Sequence, residues 1–322
     1  MTLTIALLLV LAGLVILAGG GELLVRGATS IAQLAGLTPA VIGLTVVAMG
    51  TSLPELVVSV LAAFSGQPDI AVGNVVGSNI FNVAVVLGLT ALVIPLPVHG
   101  NAVRLEWPFM FLASFLAFLL ARDGVVDRVE GAFFVVSLGM FVAYTVRVAR
   151  RDVAGDEASQ LARSVESHSV SPGMRQVAVA VGAVLGGMLL LVVGGRLLVD
   201  GAVQVARIAG MTERVIGLTV VAVGTSSPEL AASLIAAYRK QTDVAVANII
   251  GSNIFNVLGI LGVTAVIRDV PVAEALLSTD MLWMLGTSLL LFPLMRSHHV
   301  INRYEGGALA LVYALYVWVL LR

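Results

Sequence analysis

Two glutamates lie deep inside apolar stretches of the sequence, each next to a proline and to hydroxyl residues. Glu55 ends the segment VIGLTVVAMGTSLPE (41–55), and Glu229 ends VIGLTVVAVGTSSPE (215–229), which is identical at thirteen of fifteen positions. A carboxylate in an apolar environment is costly unless it faces protein, water or a cation. Because both copies of the segment keep the acid, we expect the two glutamates to share a role that involves positive charge.

A second repeated segment supplies amides and further hydroxyls. DIAVGNVVGSNIFN (69–82) matches DVAVANIIGSNIFN (243–256) at ten of fourteen positions, and both repeats have the same separation of 174 residues. Residues four apart share one face of a helix. Two polar triplets are therefore predicted: Asn74, Ser78 and Asn82, and then Asn248, Ser252 and Asn256.

The hydroxyls and prolines beside the glutamates also have a structural interpretation. Ser52 and Ser226 begin Ser-x-x-Glu patterns that fit a capping box, and a proline suits the first turn of a helix. A cap alone does not require an acid inside an apolar span in both repeats. The prolines also interrupt the helical hydrogen bonds, so we expect carbonyl oxygens near Ala48 and Ala222 to be free and to face a cavity.

The amides have an alternative role as well, because amides and small residues hold helices together in membranes. That role and ion binding are both open for Asn74 and Asn248, whereas the central position of Asn82 and Asn256 favours ligation. Oxygen ligands of these kinds suit hard cations such as Ca²⁺, which accepts about six to eight of them, and Na⁺. The predicted ligand set is Glu55, Glu229, Asn82, Asn256, Thr51, Thr225, Ser52, Ser226, Ser78, Ser252, Ala48 and Ala222.

Composition indicates what must position these residues. The chain is 59% apolar and 11% charged, with a mean hydropathy of +1.05, far from the composition of a soluble domain. A helix that crosses a bilayer needs about 20 apolar residues. This length predicts an all-α polytopic membrane protein with ten spans: 3–25, 40–64, 70–95, 104–121, 129–148, 176–200, 214–237, 244–267, 279–296 and 303–321.

The repeats divide the chain into two five-helix halves, 1–149 and 174–322, with a solvated linker at 150–173. Five is an odd number, so the second half enters the membrane from the opposite side and the repeat is inverted. Lys and Arg are more frequent on the side of the linker, which predicts a cytoplasmic linker and external termini in the plasma (inner) membrane. Glu22 with Arg26, and Arg196 with Asp200, are predicted to form local i,i+4 ion pairs with exchanged signs.

Several classes of function are excluded. The formal net charge is −1, and no basic surface for nucleic acid is apparent. The absence of cysteine excludes disulfides and thiolate metal sites. No nucleophile or phosphate-binding loop is found, so we expect no enzyme, no permanently bound cofactor and no obligatory protein partner beyond the lipid bilayer.

The segments GTSLPE with GNVVGSNIFN, and GTSSPE with ANIIGSNIFN, resemble the two alpha-repeats of the cation/calcium exchanger superfamily, in the form of its prokaryotic sodium/calcium exchanger-like members. The resemblance extends over essentially the whole chain in its number of spans. It implies ten helices in two inverted halves, with Ser52 and Ser226 in the same signatures as the ligands. The implied ion ligands are Glu55, Glu229, Thr51, Thr225, Ser78, Ser252, Asn82 and the carbonyls of Ala48 and Ala222. Some members have an acid where this chain has Asn256, so their ion stoichiometry is not transferred.

These observations favour an antiporter that exchanges Ca²⁺ for Na⁺ by alternating access at a site in the middle of the membrane. One alternative keeps the fold but couples Ca²⁺ to protons, since a glutamate away from water can carry a proton. A passive cation channel is a second alternative, although channels usually arrange their oxygens in symmetric rings. A purely structural or signalling membrane protein is the third.

Overall fold

The computed structural model describes residues 2–98, 100–161, 174–210 and 222–320, and most of them are helical. The described helices are α1 Leu3–Leu34, α2 Pro39–Thr51, α3 Leu53–Phe64, α4 Pro68–Val93, α5 Ala102–Asp123, α6 Arg128–Leu161, α7 Met174–Ile208, α8 Ala222–Thr225, α9 Ser227–Tyr238, α10 Thr242–Ile267, α11 Leu276–Arg296 and α12 Arg303–Leu320.

Seven described helices are long and apolar enough to cross a bilayer, and an eighth span results if α2 and α3, bent by 44°, count as one. This count does not reach the ten predicted spans. The predicted span 214–237 begins within residues 211–221, which lie outside the described part of the chain. The predicted span 303–321 corresponds to α12, a helix of 18 residues that begins with Arg303 and has Glu305 in its first turn.

The predicted linker differs from the structure in its first part. Helix α6 continues to Leu161 and so enters the segment 150–173, while residues 162–173 lie outside the described residues.

Helices α4 and α10 form the centre of the molecule. In their most apolar windows, 78% of α4 and 83% of α10 is buried, compared with 22% of α1 and of α6. Helices on the outside leave apolar side chains exposed, as expected where lipid is the solvent. The polar faces predicted on 69–82 and 243–256 therefore belong to the two helices that the rest of the protein surrounds.

Two breaks interrupt the helices that carry the glutamates. The backbone at Ser52 has φ −86° and ψ 7°, and that at Ser226 has φ −90° and ψ 11°. These nearly equal angles occur two residues before Pro54 and Pro228, whose rings cannot continue the helical hydrogen bonds. The two copies of the repeated sequence therefore bend in the same way.

Short π-helical turns occur in both central helices, at Asn82–Leu87 in α4 and at Phe255–Leu261 in α10. Turns of this type widen the helix and are frequent at functional sites. They lie at matching places in the two halves, and each contains the asparagine that ends the repeated motif.

Two small antiparallel ribbons join the halves. Strand β1 (Leu96–Pro97) pairs with β4 (Val300–Ile301), and β2 (Val125–Val126) pairs with β3 (Val270–Pro271). Each ribbon thus contains one strand from each half of the chain. Each ribbon joins the segment after a central helix of one half, α4 or α10, to the connection between the last two helices of the other half.

Helices α1 and α7 pack closely through glycines spaced by seven residues. A Cβ atom added to Gly20 would lie 2.9 Å from the Cβ of Leu190, and one added to Gly194 would lie 3.0 Å from the Gly13 carbonyl oxygen. Only glycine permits this approach of two backbones. The two first helices of the halves therefore form one tightly packed pair.

The predicted local ion pair is present in α1, where Arg26 lies 2.6 Å from Glu22. Glu22 also binds Arg239, which follows α9. In α7, Arg196 and Asp200 form no ion pair among the described residues, so the prediction there is wrong. A helical pair of this kind gains only about 0.5 kcal/mol, too little to hold two long side chains together by itself.

Candidate functional site

Glu55 and Glu229 occupy equivalent places in the first turns of α3 and α9. Both side chains are buried, with 0% and 1% of their surface exposed. The amino terminus of a helix favours negative charge because its backbone N–H groups point toward the preceding residues. The two half-helices can thus support carboxylates inside an apolar protein.

Hydroxyl groups connect the two halves through these carboxylates. Ser52 Oγ donates to Glu229 Oε1 at 2.9 Å, and Ser226 Oγ donates to Glu55 Oε1 at 3.2 Å. Each serine therefore lies beside the glutamate of its own half and binds that of the other half. These two hydrogen bonds between the halves bring both glutamates into one site.

These contacts correct the prediction of a capping box. Neither Ser52 nor Ser226 makes a side-chain hydrogen bond that caps its helix. The Ser-x-x-Glu spacing is present, but the serine hydroxyls bind across the interface between the halves. A carboxylate is a stronger acceptor than a neutral group, which explains why the hydroxyls turn toward the opposite glutamate.

One oxygen of each carboxylate remains without a hydrogen bond among the described residues. These atoms, Glu55 Oε2 and Glu229 Oε2, are fully buried. Buried polar atoms are usually satisfied, and those that are not require an explanation. An oxygen that is kept free of donors can bind a cation.

The central helices add two more oxygens of this kind. Asn82 and Asn256 are fully buried, and neither amide oxygen has a hydrogen-bond partner among the described residues. Asn256 is held in place because its Nδ2 donates to Asn79 Oδ1 at 3.0 Å. Asn82 lacks a partner at its nitrogen as well.

The predicted hydroxyl residues of the central helices lie beside the serines and threonines of the breaks. Ser78 Oγ is 3.5 Å from Ser226 Oγ, and Ser252 Oγ is 3.5 Å from Thr51 Oγ1. Thr225 lies at the end of α8, before Ser226, and lines a cavity beside α7. Hydroxyl oxygens from both halves thus accompany the carboxylates.

The predicted free carbonyl at Ala48 is not found. Its oxygen accepts the N–H of Ser52 at 3.1 Å and the hydroxyl of Thr51 at 3.3 Å. Pro54 lacks the N–H that would reach the carbonyl four residues earlier, which is that of Gly50, so the proline does not free Ala48. Ala222 begins α8, directly after the residues that the structure does not describe.

Asn74 and Asn248 brace the helices, which was one of their two predicted roles. Asn74 Nδ2 donates to Ser59 Oγ at 2.9 Å and to the Glu55 carbonyl at 3.1 Å. Asn248 Nδ2 donates to Ser233 Oγ at 3.0 Å. These bonds fix the orientation of the helices that carry the glutamates.

Two asparagines that the sequence interpretation passed over also join the halves. Asn79 Nδ2 donates to the Asn253 carbonyl at 3.3 Å, and Asn253 Nδ2 donates to the Asn79 carbonyl at 3.4 Å. Their place in the shared GSNIFN motif was the available signal. A role in pairing the halves depends on which helix faces which, and the motif does not contain that information.

The chemistry of the site follows from its atoms. The groups that surround the two glutamates are hydroxyls and amides, and the part of the chain that the structure describes contains no cluster of three or more His, Cys, Asp or Glu residues suited to a metal. Two carboxylates balance the charge of one divalent cation or of two monovalent ones. All the available ligand atoms are oxygens, which suits Ca²⁺ and Na⁺ rather than soft metals.

Comparisons with known proteins agree with this chemistry. The family described as "Sodium/calcium exchanger protein" matches residues 5–147 and 179–322. CaxA of Alkalimonas amylolytica is 40% identical over 98% of this chain and 98% of its own length. The inner membrane protein YrbG of Escherichia coli (strain K12) is 36% identical over 90% of this chain and 88% of its own.

A solved structure of the sodium-calcium exchanger NCX_Mj, soaked with zero Na⁺ and Ca²⁺, has a similar fold. It is 30% identical, with a TM-score of 0.82 over 99% of this chain and 100% of its own. The family match spans both halves of the repeat, and the structural match extends over the whole molecule. The chain therefore belongs to the sodium/calcium exchanger family of membrane transporters.

Proposed function

We propose that this protein is a secondary antiporter that exchanges Ca²⁺ for Na⁺ at the site formed by Glu55 and Glu229. The observation that carries the proposal is the set of four buried oxygens without hydrogen bonds among the described residues: Glu55 Oε2, Glu229 Oε2, Asn82 Oδ1 and Asn256 Oδ1. A cation would satisfy them together. The similar solved structure is that of a sodium-calcium exchanger, which supports the same ions.

The remaining predicted ligands complete the proposed site. The hydroxyls of Thr51, Ser52, Ser78, Thr225, Ser226 and Ser252 surround the carboxylates. Ser52 and Ser226 each already donate to a glutamate, so their oxygen lone pairs remain available for a cation. We keep the carbonyl of Ala222 as a ligand, whereas that of Ala48 would have to exchange its present hydrogen bonds.

Alternating access follows from the arrangement of the halves. We propose ten spans in two inverted five-helix repeats, 1–149 and 174–322, joined by the linker 150–173. Because Ca²⁺ and Na⁺ compete for the same oxygens, one must leave before the other binds. The tightly packed pair α1 and α7 lies beside the broken helices and is the natural element to slide between the two access states.

We place the protein in the plasma (inner) membrane, with the linker in the cytoplasm and both termini outside. The excess of Lys and Arg on the linker side supports this orientation, and the name of the Escherichia coli relative supports the location. No enzymatic activity, bound cofactor or protein partner is part of the proposal.

Calcium uptake into proteoliposomes loaded with Na⁺ tests the proposal. The wild-type chain is expected to accumulate Ca²⁺ only when Na⁺ can leave, and Glu55→Gln is expected to reduce the rate by about 100-fold because one of the two charges is lost. Glu130→Gln, at the start of α6 and outside the site, is the matched control. Unchanged uptake by Glu55→Gln would refute the assignment.

Two further arms separate the alternatives. Uptake driven by a pH gradient without Na⁺ would indicate proton coupling, which remains a candidate because the unpaired Oε2 of each glutamate can hold a proton. Uptake without any counter-ion would indicate a channel. The proposed antiporter shows neither.

A further inference from the structure

The asparagines of the two GSNIFN motifs do not make equivalent hydrogen bonds, although the motifs are identical. Asn79 and Asn82 belong to the first motif, and Asn253 and Asn256 hold the same places in the second, at the offset of 174 residues. Asn256 Nδ2 donates to Asn79 Oδ1 at 3.0 Å. The equivalent bond would join Asn82 Nδ2 to Asn253 Oδ1, and that bond is not made.

Both atoms of the missing bond are left without any partner. Asn82 Nδ2 and Asn253 Oδ1 are buried, and neither has a hydrogen bond in the part of the chain that the structure describes. A buried amide group without a partner costs free energy, and each such group requires an explanation. The free donor and the free acceptor are the two atoms that the repeat pairs with each other, so one explanation accounts for both.

Asn253 is already oriented to accept the missing bond. Asn79 Nδ2 donates to the Asn253 carbonyl at 3.3 Å and contacts the sulfur of Met284 at 3.6 Å. In the same way, Asn253 Nδ2 donates to the Asn79 carbonyl at 3.4 Å and contacts the sulfur of Met110 at 3.6 Å. The two amide nitrogens thus have equivalent contacts, and only the two amide oxygens differ. The difference lies in the position of the donor that each oxygen should receive.

The first helices of the halves show a second difference between equivalent residues. Val199 of α7 lines a cavity of about 290 Å³ that also reaches Thr225, one of the proposed ligands. Val25, the equivalent residue of α1, is 0% exposed and belongs to the core. In this conformation the residue of α7 therefore faces open space beside the ion site, and its equivalent on α1 is covered.

We propose that Asn79 and Asn253 are positioning residues of the ion site, and that each orients the asparagine ligand of the other half in one of two access states. The inference rests on the exchange of Ca²⁺ for Na⁺ by alternating access proposed above. When inverted repeats exchange their conformations, a contact between the halves is replaced by its equivalent in the repeat. The bond from Asn256 to Asn79 then breaks, and the bond from Asn82 to Asn253 forms.

Each access state thus has one ligand amide that the other half holds and one that is released. In the conformation of this structure the held amide is that of Asn256, and the released one is that of Asn82. An amide that is already oriented loses less conformational entropy when it binds an ion. The two positioning asparagines therefore couple the access state to the amide that is better prepared to bind.

Cysteine labelling of the full chain in detergent, without Ca²⁺ or Na⁺, tests the proposal, because the sequence contains no cysteine that would react. Val199→Cys reports the conformation of this structure, in which position 199 lines the cavity, and Val25→Cys reports the opposite one. Asn79→Leu removes the acceptor for Asn256 and so disfavours the first conformation. We expect the labelling rate at position 25, relative to that at position 199, to increase about fivefold, which corresponds to the loss of one hydrogen bond.

Asn253→Leu is the matched control. It loses the same kinds of nitrogen contact, to a backbone carbonyl and to a methionine sulfur, but its oxygen accepts no hydrogen bond from a described residue in this conformation. It removes the acceptor for Asn82 in the opposite state, so the same ratio of labelling rates should decrease about fivefold. A general loosening of the packing would change both variants in the same direction.

The donors provide a second pair of variants if a change at position 79 or 253 prevents folding. Asn256→Leu should act like Asn79→Leu, and the two together should shift the ratio no further than one alone, because both remove the same bond. Asn82→Leu should act like Asn253→Leu for the same reason.

Shifts of the same sign within either pair of equivalent variants, or no shift in any of the four, would overturn the proposal. Labelling requires no transport, so the two proposals fail in different ways. Absence of Na⁺-driven Ca²⁺ uptake by the wild-type chain refutes the proposed function. Labelling shifts of one sign in a chain that does exchange Ca²⁺ for Na⁺ refute only the role of Asn79 and Asn253.

Discussion

At the centre of the molecule, Ser52 binds Glu229 and Ser226 binds Glu55, so each half makes the same contact with the other. The halves differ at Glu106 and Asp280, which end the π-helical turns at the start of α5 and α11. Asp280 accepts a hydrogen bond from the hydroxyl of Tyr316, whereas Glu106 lines a cavity. Alternating access requires a site that both halves build in equivalent ways. The acids in the first turns of α5 and α11 lie outside that site, so the two halves need not surround them in equivalent ways.

The largest expected effect tests the equivalence at the centre. Glu229→Gln should reduce Ca²⁺ uptake by about 100-fold, as Glu55→Gln should, because both carboxylates balance the charge of the same ion. Uptake by the two single variants is compared under the same Na⁺ gradient. A variant that keeps the wild-type rate while the other loses it would show that the halves do not contribute equally.

The asparagines of the central helices provide a finer test, because their surroundings differ. Asn82→Leu and Asn256→Leu should each weaken Ca²⁺ binding by about tenfold through loss of an oxygen ligand. Calorimetric titration with Ca²⁺ measures this effect.

The free energy of unfolding, measured without cations, should distinguish Asn82→Leu from Asn256→Leu. Asn256→Leu removes the donor to Asn79, so the free energy of unfolding should fall by about 1 kcal/mol. Asn82→Leu removes a buried amide that has no partner among the described residues, so thermal unfolding should show equal or greater stability. Equal losses in both variants would contradict the difference.

Tyr316→Phe tests the difference between Asp280 and Glu106. The variant removes the donor to Asp280, so the free energy of unfolding should fall by about 1 kcal/mol. Tyr313→Phe is the control in the same helix, since Tyr313 makes a ring contact with Phe81 and no hydrogen bond among the described residues. If both changes have the same effect on the thermal midpoint, the hydroxyl of Tyr316 is not what stabilises Asp280.

The smallest expected effect concerns the first helices of the two halves. Arg239→Met removes the ion pair with Glu22. The side chains of Arg239 and Glu22 are 29% and 35% exposed, so the free energy of unfolding should fall by only about 0.5 kcal/mol at low salt. Arg196→Met should cost nothing, because Arg196 forms no ion pair in the described part of the chain. Unfolding in low and in high salt measures both, and only the first difference should shrink as salt is added.

Much of the central site was predictable because the repeat can be recognised by identity between the two segments of the sequence. The position of Glu55 and Glu229 in matching apolar segments indicated a shared role, and the spacing of four placed Ser78 with Asn82. The prediction of a free carbonyl at Ala48 was wrong, because the proline at position 54 removes the partner of the Gly50 carbonyl and not that of Ala48. The capping-box interpretation of Ser52 was wrong because its hydroxyl donates to Glu229 instead. Only the folded chain brings that acceptor near.

The sequence by itself determined the membrane environment, the two repeats and the acids at their centres, because hydropathy and identity at a constant offset are properties of the chain. Only the tertiary structure decided that the serines cross between the halves, that Asn79 pairs with Asn253, and that Glu106 faces a cavity with Asp243. Contacts between residues more than a hundred positions apart depend on how whole helices pack. Packing is set by the fit of many side chains at once, and a local sequence pattern does not contain that information.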